Sequence, residues 1–114
     1  MRIRELRKDD GSVVCGRCAI ADNPLTRLRG LLGRSSLDPD EGMLFSPAGS
    51  IHMFFMRFAI DAVFCDRELQ VIDVERGLKP WRTAGRRGAK VVIELAAGAA
   101  DDVRPGDRLV LARL

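Results

Sequence analysis

Short apolar runs separated by turn residues constrain the fold of this sequence more than any other feature. Eleven Gly and five Pro are spread along 114 residues. Gly and Pro favour turns, and brief runs of apolar and β-branched residues between turns are typical of strands. The sequence therefore predicts a mostly β fold, a compact sandwich or open barrel of about seven short strands.

The predicted strands follow one another closely, over residues 12–21, 43–45, 51–56, 62–65, 69–74, 90–95 and 108–114. Residues 1–11 are polar and end in a turn, and residues 78–88 are predicted to form a basic loop. One short amphipathic helix is expected over 24–33, because Asn and Pro favour a helix start and the following leucines recur at helical spacing. No linker or repeat interrupts the chain, so residues 1–114 are expected to form a single domain.

The balance of charge argues against a nucleic-acid partner. The net charge is only +3, and acidic residues interrupt each basic zone. A nucleic-acid-binding surface usually has a denser basic patch. Five Phe, one Trp and no Tyr also supply few side chains for base stacking.

The beginning of the chain and the cysteine count predict a cytoplasmic protein. Residues 1–8 lack the apolar core of a secretory signal. The longest run of large apolar residues, 53–56, is far too short to span a bilayer, so no membrane partner is expected. Three cysteines are an odd number, which argues against a disulfide framework and fits a reducing compartment.

Cys15 and Cys18 have the spacing of a redox pair or of half a zinc site. A closed zinc site needs four ligands, and only His52 and Cys65 could complete it here. The alternative is a pair of small, buried thiols, which behave as apolar side chains. We expect no metal and no cofactor.

His52 is the only histidine and offers two interpretations. It could act as a general base if Asp61 or Glu94 orients it, or it could be a core or rim histidine. Asp61 lies in an apolar context where a carboxylate is costly unless it is paired. Its candidate partners are Arg57 and Arg29, which would form a buried ion pair, and the alternative is a carboxylate that faces a ligand.

Two other features have structural and functional interpretations. Gly30 weakens the predicted helix by about 1 kcal/mol relative to Ala, which suggests close packing of another backbone there. Trp81 and Arg82 follow Pro80 in the basic loop. Trp and Arg are typical anchors of interfaces, although a single Trp could equally cap a small core.

The ordered set of motifs resembles the domain-of-unknown-function family numbered 192. The motifs cover nearly the whole chain: Arg29–Arg34, Leu37, Glu41–Phe45, Ser50–Asp61, Val63–Phe64, Pro80–Arg82, Val92–Leu95, Gly98 and Gly106–Asp107. The resemblance implies a compact, mostly β domain and no established activity. Many members have Trp-Met-x-Asn-Thr where this chain has residues 52–56, so no role of that Trp or Asn carries over.

The sequence favours a binding module over two rival functions. Several arginines point to an anionic small molecule or an acidic peptide as ligand. The rivals are a small hydrolase-like enzyme that uses His52 with a carboxylate, and an accessory protein that docks on a partner through Trp81. The candidate ligand-binding residues are Arg29, His52, Met56, Arg57, Asp61, Trp81, Arg82 and Glu94.

Overall fold

The structure, a computed structural model, describes residues 2–21 and 34–113. Nine strands occur in these residues: β1 (Arg2–Lys8), β2 (Val13–Ala21), β3 (Glu41–Phe45), β4 (Ser50–His52), β5 (Ile60–Cys65), β6 (Val71–Leu78), β7 (Thr83–Gly85), β8 (Val91–Ala96) and β9 (Leu109–Ala112). The predicted helix over 24–33, with Gly30, lies outside the described residues. The described residues include no helix that is long and apolar enough to cross a membrane.

Seven of the strands form one curled sheet in the order β6-β5-β8-β3-β2-β1-β9. Its neighbours are antiparallel except for the parallel pair β2–β3. The two edges of the sheet meet at one end, where the Val71 amide donates to the Asp107 carbonyl at 2.7 Å and the Leu109 amide donates to the Leu69 carbonyl at 2.9 Å. The curled sheet confirms the prediction of a mostly β fold, and it corresponds to the open barrel among the two predicted architectures.

Strand β8 shows how the sheet divides the core. Its alternate residues Val91, Ile93 and Leu95 belong to one apolar cluster, while Val92 and Ala96 belong to clusters on the other face. A strand buried on both faces reads as a continuous apolar run, which is why its sequence predicts it so well.

A two-stranded antiparallel ribbon, β4–β7, covers the second face of the large sheet. Ile51 of β4 and Ala84 of β7 pack on both clusters of that face. The ribbon therefore rests on the core through one side. The chain continues from the end of β4 into the turn at residues 53–58 and enters β7 from the turn at residues 79–82.

Three strand predictions were wrong. The strand expected over 51–56 ends at His52, because Phe55 has a left-handed backbone (φ 65°) that a strand cannot accommodate. Strand β1 lies within the polar segment 1–11; its charged residues hide the pattern, and Leu6 is its one fully buried side chain. Strand β7 lies within the expected loop 78–88 and is only three residues long.

Candidate binding surface

Four aromatic side chains form a continuous exposed group, here called the aromatic surface: His52, Phe54, Phe55 and Trp81. The His52 ring stacks on Phe54 with centroids 4.8 Å apart. Trp81 lies 6.0 Å from Phe54 and 4.8 Å from Phe55. Phe54, Phe55 and Trp81 are 41%, 71% and 58% exposed, so a large apolar area faces solvent.

Two turns present these rings, and hydrogen bonds join the turns. The Met53 amide donates to the Arg82 carbonyl at 2.7 Å, and the Trp81 amide donates to the Met53 carbonyl at 2.7 Å. The Met53 side chain is fully buried in the core. Met53 therefore anchors the turn that carries Phe54 and Phe55 and aligns it with the turn that carries Trp81.

Backbone strain accompanies two of the rings. Phe55 (φ 65°) and Trp81 (φ 69°) both adopt the left-handed conformation, which is unusual for bulky residues and costs of order 1 kcal/mol or more at each position. Both side chains are more than half exposed, so packing of the rings offsets little of the free energy that the strained backbone costs. Strain of this kind is concentrated at functional sites.

Basic side chains flank the aromatic surface, here called the basic rim: Arg57, Lys79 and Arg82. All three are exposed, and none forms an ion pair within the described part of the chain. No Asp or Glu occurs within residues 52–58 or 79–82. The rim is therefore a local excess of positive charge beside apolar rings.

A groove of about 610 Å³ continues from the aromatic surface along the β4–β7 ribbon. Arg86 in this groove is already engaged: its guanidinium contacts Asp73 at 2.6 Å and Glu75 at 3.0 Å, and it lies 5.0 Å from the centre of the Phe64 ring. The guanidinium also lowers the pKa of Asp73 through a hydrogen bond. The lining residues are Ser50, Ile51, His52, Glu75, Thr83, Ala84, Gly85 and Arg86.

Asp61 is buried and holds backbone rather than ligand. Its carboxylate accepts hydrogen bonds from the amides of Gly77 at 2.9 Å, Gly98 at 2.9 Å and Ala100 at 3.1 Å. No ion pair with Arg57 is found among the described residues, and the other expected partner, Arg29, lies outside them. Asp61 therefore fixes the end of β6 and the turn after β8.

Glu94 is the second buried carboxyl group, 6% exposed. It lies in the middle of the large sheet between its strand neighbours Met43 and Ala62. Burial raises the pKa of Glu94 to about 7, because a low-dielectric environment disfavours the ionised form. No hydrogen bond to its side chain is found in residues 2–21 and 34–113.

The structure does not bring His52 to either carboxyl group. His52 is exposed on the ribbon, while Asp61 and Glu94 are buried in the large sheet. In the part of the chain that the structure describes, no hydrogen bond or ion pair joins the imidazole to them. The predicted pairing of His52 with Asp61 or Glu94 is therefore not found among the described residues.

Cys15 and Cys18 are both buried on β2. Residues three apart would face opposite sides of a regular strand, but register shifts opposite Leu6 let both thiols enter the core. The Cys15 thiol donates to the Asp40 carbonyl at 3.3 Å. A hydrogen bond from Cys18 lowers the pKa of Cys15. The same hydrogen bond, together with burial, raises the pKa of Cys18. Among the described residues no group of three or more His, Cys, Asp or Glu could hold a metal ion.

The predicted site residues separate into two groups. His52, Arg57, Trp81 and Arg82 come together on the surface, whereas Asp61, Glu94 and Met56 are buried, and Arg29 lies outside the described residues. Sequence reasoning missed Phe54, Phe55 and Lys79. The adjacent Phe residues were a signal, but their apolar context made them resemble core strand residues.

Comparison with known proteins places the chain in a family without a known activity. The family model DUF192, described as "Uncharacterized ACR", matches residues 5–111. A "UPF0127 protein" of Thermococcus sibiricus is 38% identical over 104 residues, which cover 84% of this chain and 65% of that protein. This chain thus spans less than two thirds of that relative. A Pyrococcus abyssi "UPF0127 protein" is 37% identical over 90 residues, covering 73% of this chain and 74% of its own length.

Two solved structures share the fold. A protein of Sinorhizobium meliloti 1021, described as a candidate transcription regulator, matches with a TM-score of 0.81 and 26% identity, over 96% of this chain and 91% of its own. A protein of unknown function from Novosphingobium aromaticivorans matches with a TM-score of 0.76 and 21% identity, over 95% and 83% of the two chains.

Proposed function

Because the chain belongs to the DUF192 family of uncharacterised proteins, whose relatives carry no named activity, we propose a function from its surface: a binding module for an anionic ligand. The observation that carries this proposal is the aromatic surface beside the unpaired basic rim. Exposed contiguous apolar patches mark interaction sites, and Trp and Arg dominate binding energy in interfaces. The ligand would cover the rings and neutralise the rim.

The cost of presenting the rings supports the same proposal. Phe55 and Trp81 add little to the core because they are largely exposed, yet both require a strained backbone. A residue that lowers stability without a packing gain is best explained by its function. The fixed turns also reduce the entropy that binding would otherwise cost.

The open arrangement favours a chain-like ligand over an enclosed small molecule. Pockets for small ligands typically bury about 70–90% of the ligand surface, whereas all four rings of the aromatic surface lie on the outside. We place this activity in the cytoplasm, a proposal that the three free thiols support, because thiols persist in reducing compartments.

A direct test uses Trp81, the only tryptophan, as an intrinsic fluorescent probe. Poly-glutamate and poly-lysine of equal length are titrated into the protein at about 20 and 200 mM salt. We expect poly-glutamate alone to change Trp81 emission, and its affinity to fall with salt because the cations of the rim are exposed. An unchanged emission with both polymers would contradict the proposal.

Variants locate the binding. Arg82→Ala should weaken poly-glutamate binding severalfold, because it removes one exposed cation of the rim. Arg67→Ala is the matched control: Arg67 is exposed in the turn between β5 and β6, at the other end of β5. Equal losses in the two variants would indicate general charge attraction and not a site.

A further inference from the structure

We infer that the ligand of this surface is a peptide in which acidic residues flank an aromatic side chain, and that the aromatic side chain packs on Phe55 and Trp81. This inference rests on the proposed function and names the partner. It combines three features of this region: the paired rings in strained turns, the cations that flank these turns in the sequence, and the groove that begins at His52.

The Phe55–Trp81 pair is suited to a third ring. The two centroids are 4.8 Å apart with their planes at 58°, a tilted geometry that leaves part of each ring uncovered. Phe55 is 71% exposed. Aromatic rings prefer tilted or offset contacts over face-to-face stacking, so a ring from the ligand could complete a cluster of three.

Exposed cations of the rim flank both members of that pair in the sequence. Arg57 follows the turn that carries Phe55, while Lys79 and Arg82 enclose the turn that carries Trp81. A ligand whose ring lies on the pair would therefore meet cations before and after the ring. Acidic residues on either side of an aromatic residue have the complementary pattern.

The groove favours a peptide over a bilayer or a single nucleotide. It starts at His52, which stacks on Phe54, and runs along the ribbon for the length of β4. Three strand residues extend about 10 Å, which is room for a short extended segment.

Two peptides without Trp test the inference: an acetylated, amidated segment with three Glu before and three after a central Phe, and the same segment with Ala in place of Phe. Affinities are measured through Trp81 emission and by calorimetry. We expect the Phe peptide to bind about tenfold tighter, the effect of a favourable aromatic contact with its buried area. In Phe55→Ala the ratio should fall to about twofold or less.

Val110→Ala is the control variant, because Val110 is 44% exposed on β9, and it should leave the tenfold ratio unchanged. A ratio near one in the unaltered protein would overturn this inference while leaving the proposed function intact, provided that poly-glutamate still binds. Failure of poly-glutamate would remove the proposed function itself.

Competing occupants give distinct results in the same assay. Single-stranded oligothymidine and vesicles of phosphatidylserine with phosphatidylcholine are titrated at matched salt. Binding of either one that exceeds the Phe peptide and is lost in Phe55→Ala would overturn the peptide assignment. Binding that persists in Phe55→Ala would reflect the net positive charge and would leave the assignment standing.

Discussion

Replacing Glu94 by Gln should change how the stability of this protein depends on pH. The pKa of Glu94 is raised from 4.5 to about 7 by burial, while in the unfolded chain it keeps its ordinary value. Between these pH values the unfolded state loses the proton that the native state retains, so the free energy of unfolding falls as pH rises. Each pH unit is worth about 1.4 kcal/mol, which gives a total loss of about 3 kcal/mol that is complete above pH 7.

The assay is urea denaturation at half-unit steps from pH 4.5 to 8. We expect Glu94→Gln to remove this fall, so that the difference in stability between the two proteins shifts by about 3 kcal/mol in favour of the variant as pH rises. Comparing slopes removes any constant cost of the buried amide. Carboxyl groups with a lowered pKa, such as Asp73 and Asp107, titrate at lower pH and are common to both proteins.

Glu68→Gln provides the control, because Glu68 is exposed in the turn between β5 and β6. It should leave the pH dependence unchanged. Parallel curves for the unaltered protein and Glu94→Gln over this range would refute the reasoning, because they would mean that Glu94 ionises as easily in the folded as in the unfolded state.

Three further predictions follow from the geometry of the core. Asp61→Asn should lower the free energy of unfolding by about 3 kcal/mol, because charge-assisted bonds to three amides are lost or weakened; a loss under 1 kcal/mol in urea denaturation would show that these bonds are replaceable. Gly42→Ala should lower the free energy of unfolding by about 1–3 kcal/mol, since the added Cβ would lie 2.7 Å from Leu95 Cδ2 and 3.0 Å from the Glu94 carbonyl oxygen. Gly16→Ala is the control: its Cβ would have no contact closer than 3.7 Å, so stability in the same assay should be unchanged. The thiols of Cys15, Cys18 and Cys65 are all buried, so a chromogenic disulfide reagent should react with them only after unfolding. Rapid reaction of the native protein would contradict this prediction.

The sequence predicted those strands whose own residues form an apolar run, and it missed those that depend on pairing with distant segments. Strands β5 and β8 are buried on both faces, so their apolar runs identified them directly. The charged side chains of strand β1 are exposed or half-buried, and only its pairing with β2 and β9 makes it a strand. The turn at Phe54 and Phe55 was mistaken for a strand, because apolar residues in a row are expected to be buried.

The binding surface shows the same division between sequence and tertiary structure. Residue types alone singled out His52, Arg57 and Trp81, because a lone His, a basic residue in an apolar segment and a lone Trp are conspicuous in any sequence. Whether each lies inside or outside depended on the fold, which buried Asp61 and Glu94 and left the rings exposed. The Met53 bonds to Trp81 and Arg82 bring the two turns of the aromatic surface together, and the sequence does not reveal them, because they join segments nearly thirty residues apart through backbone groups that every sequence possesses.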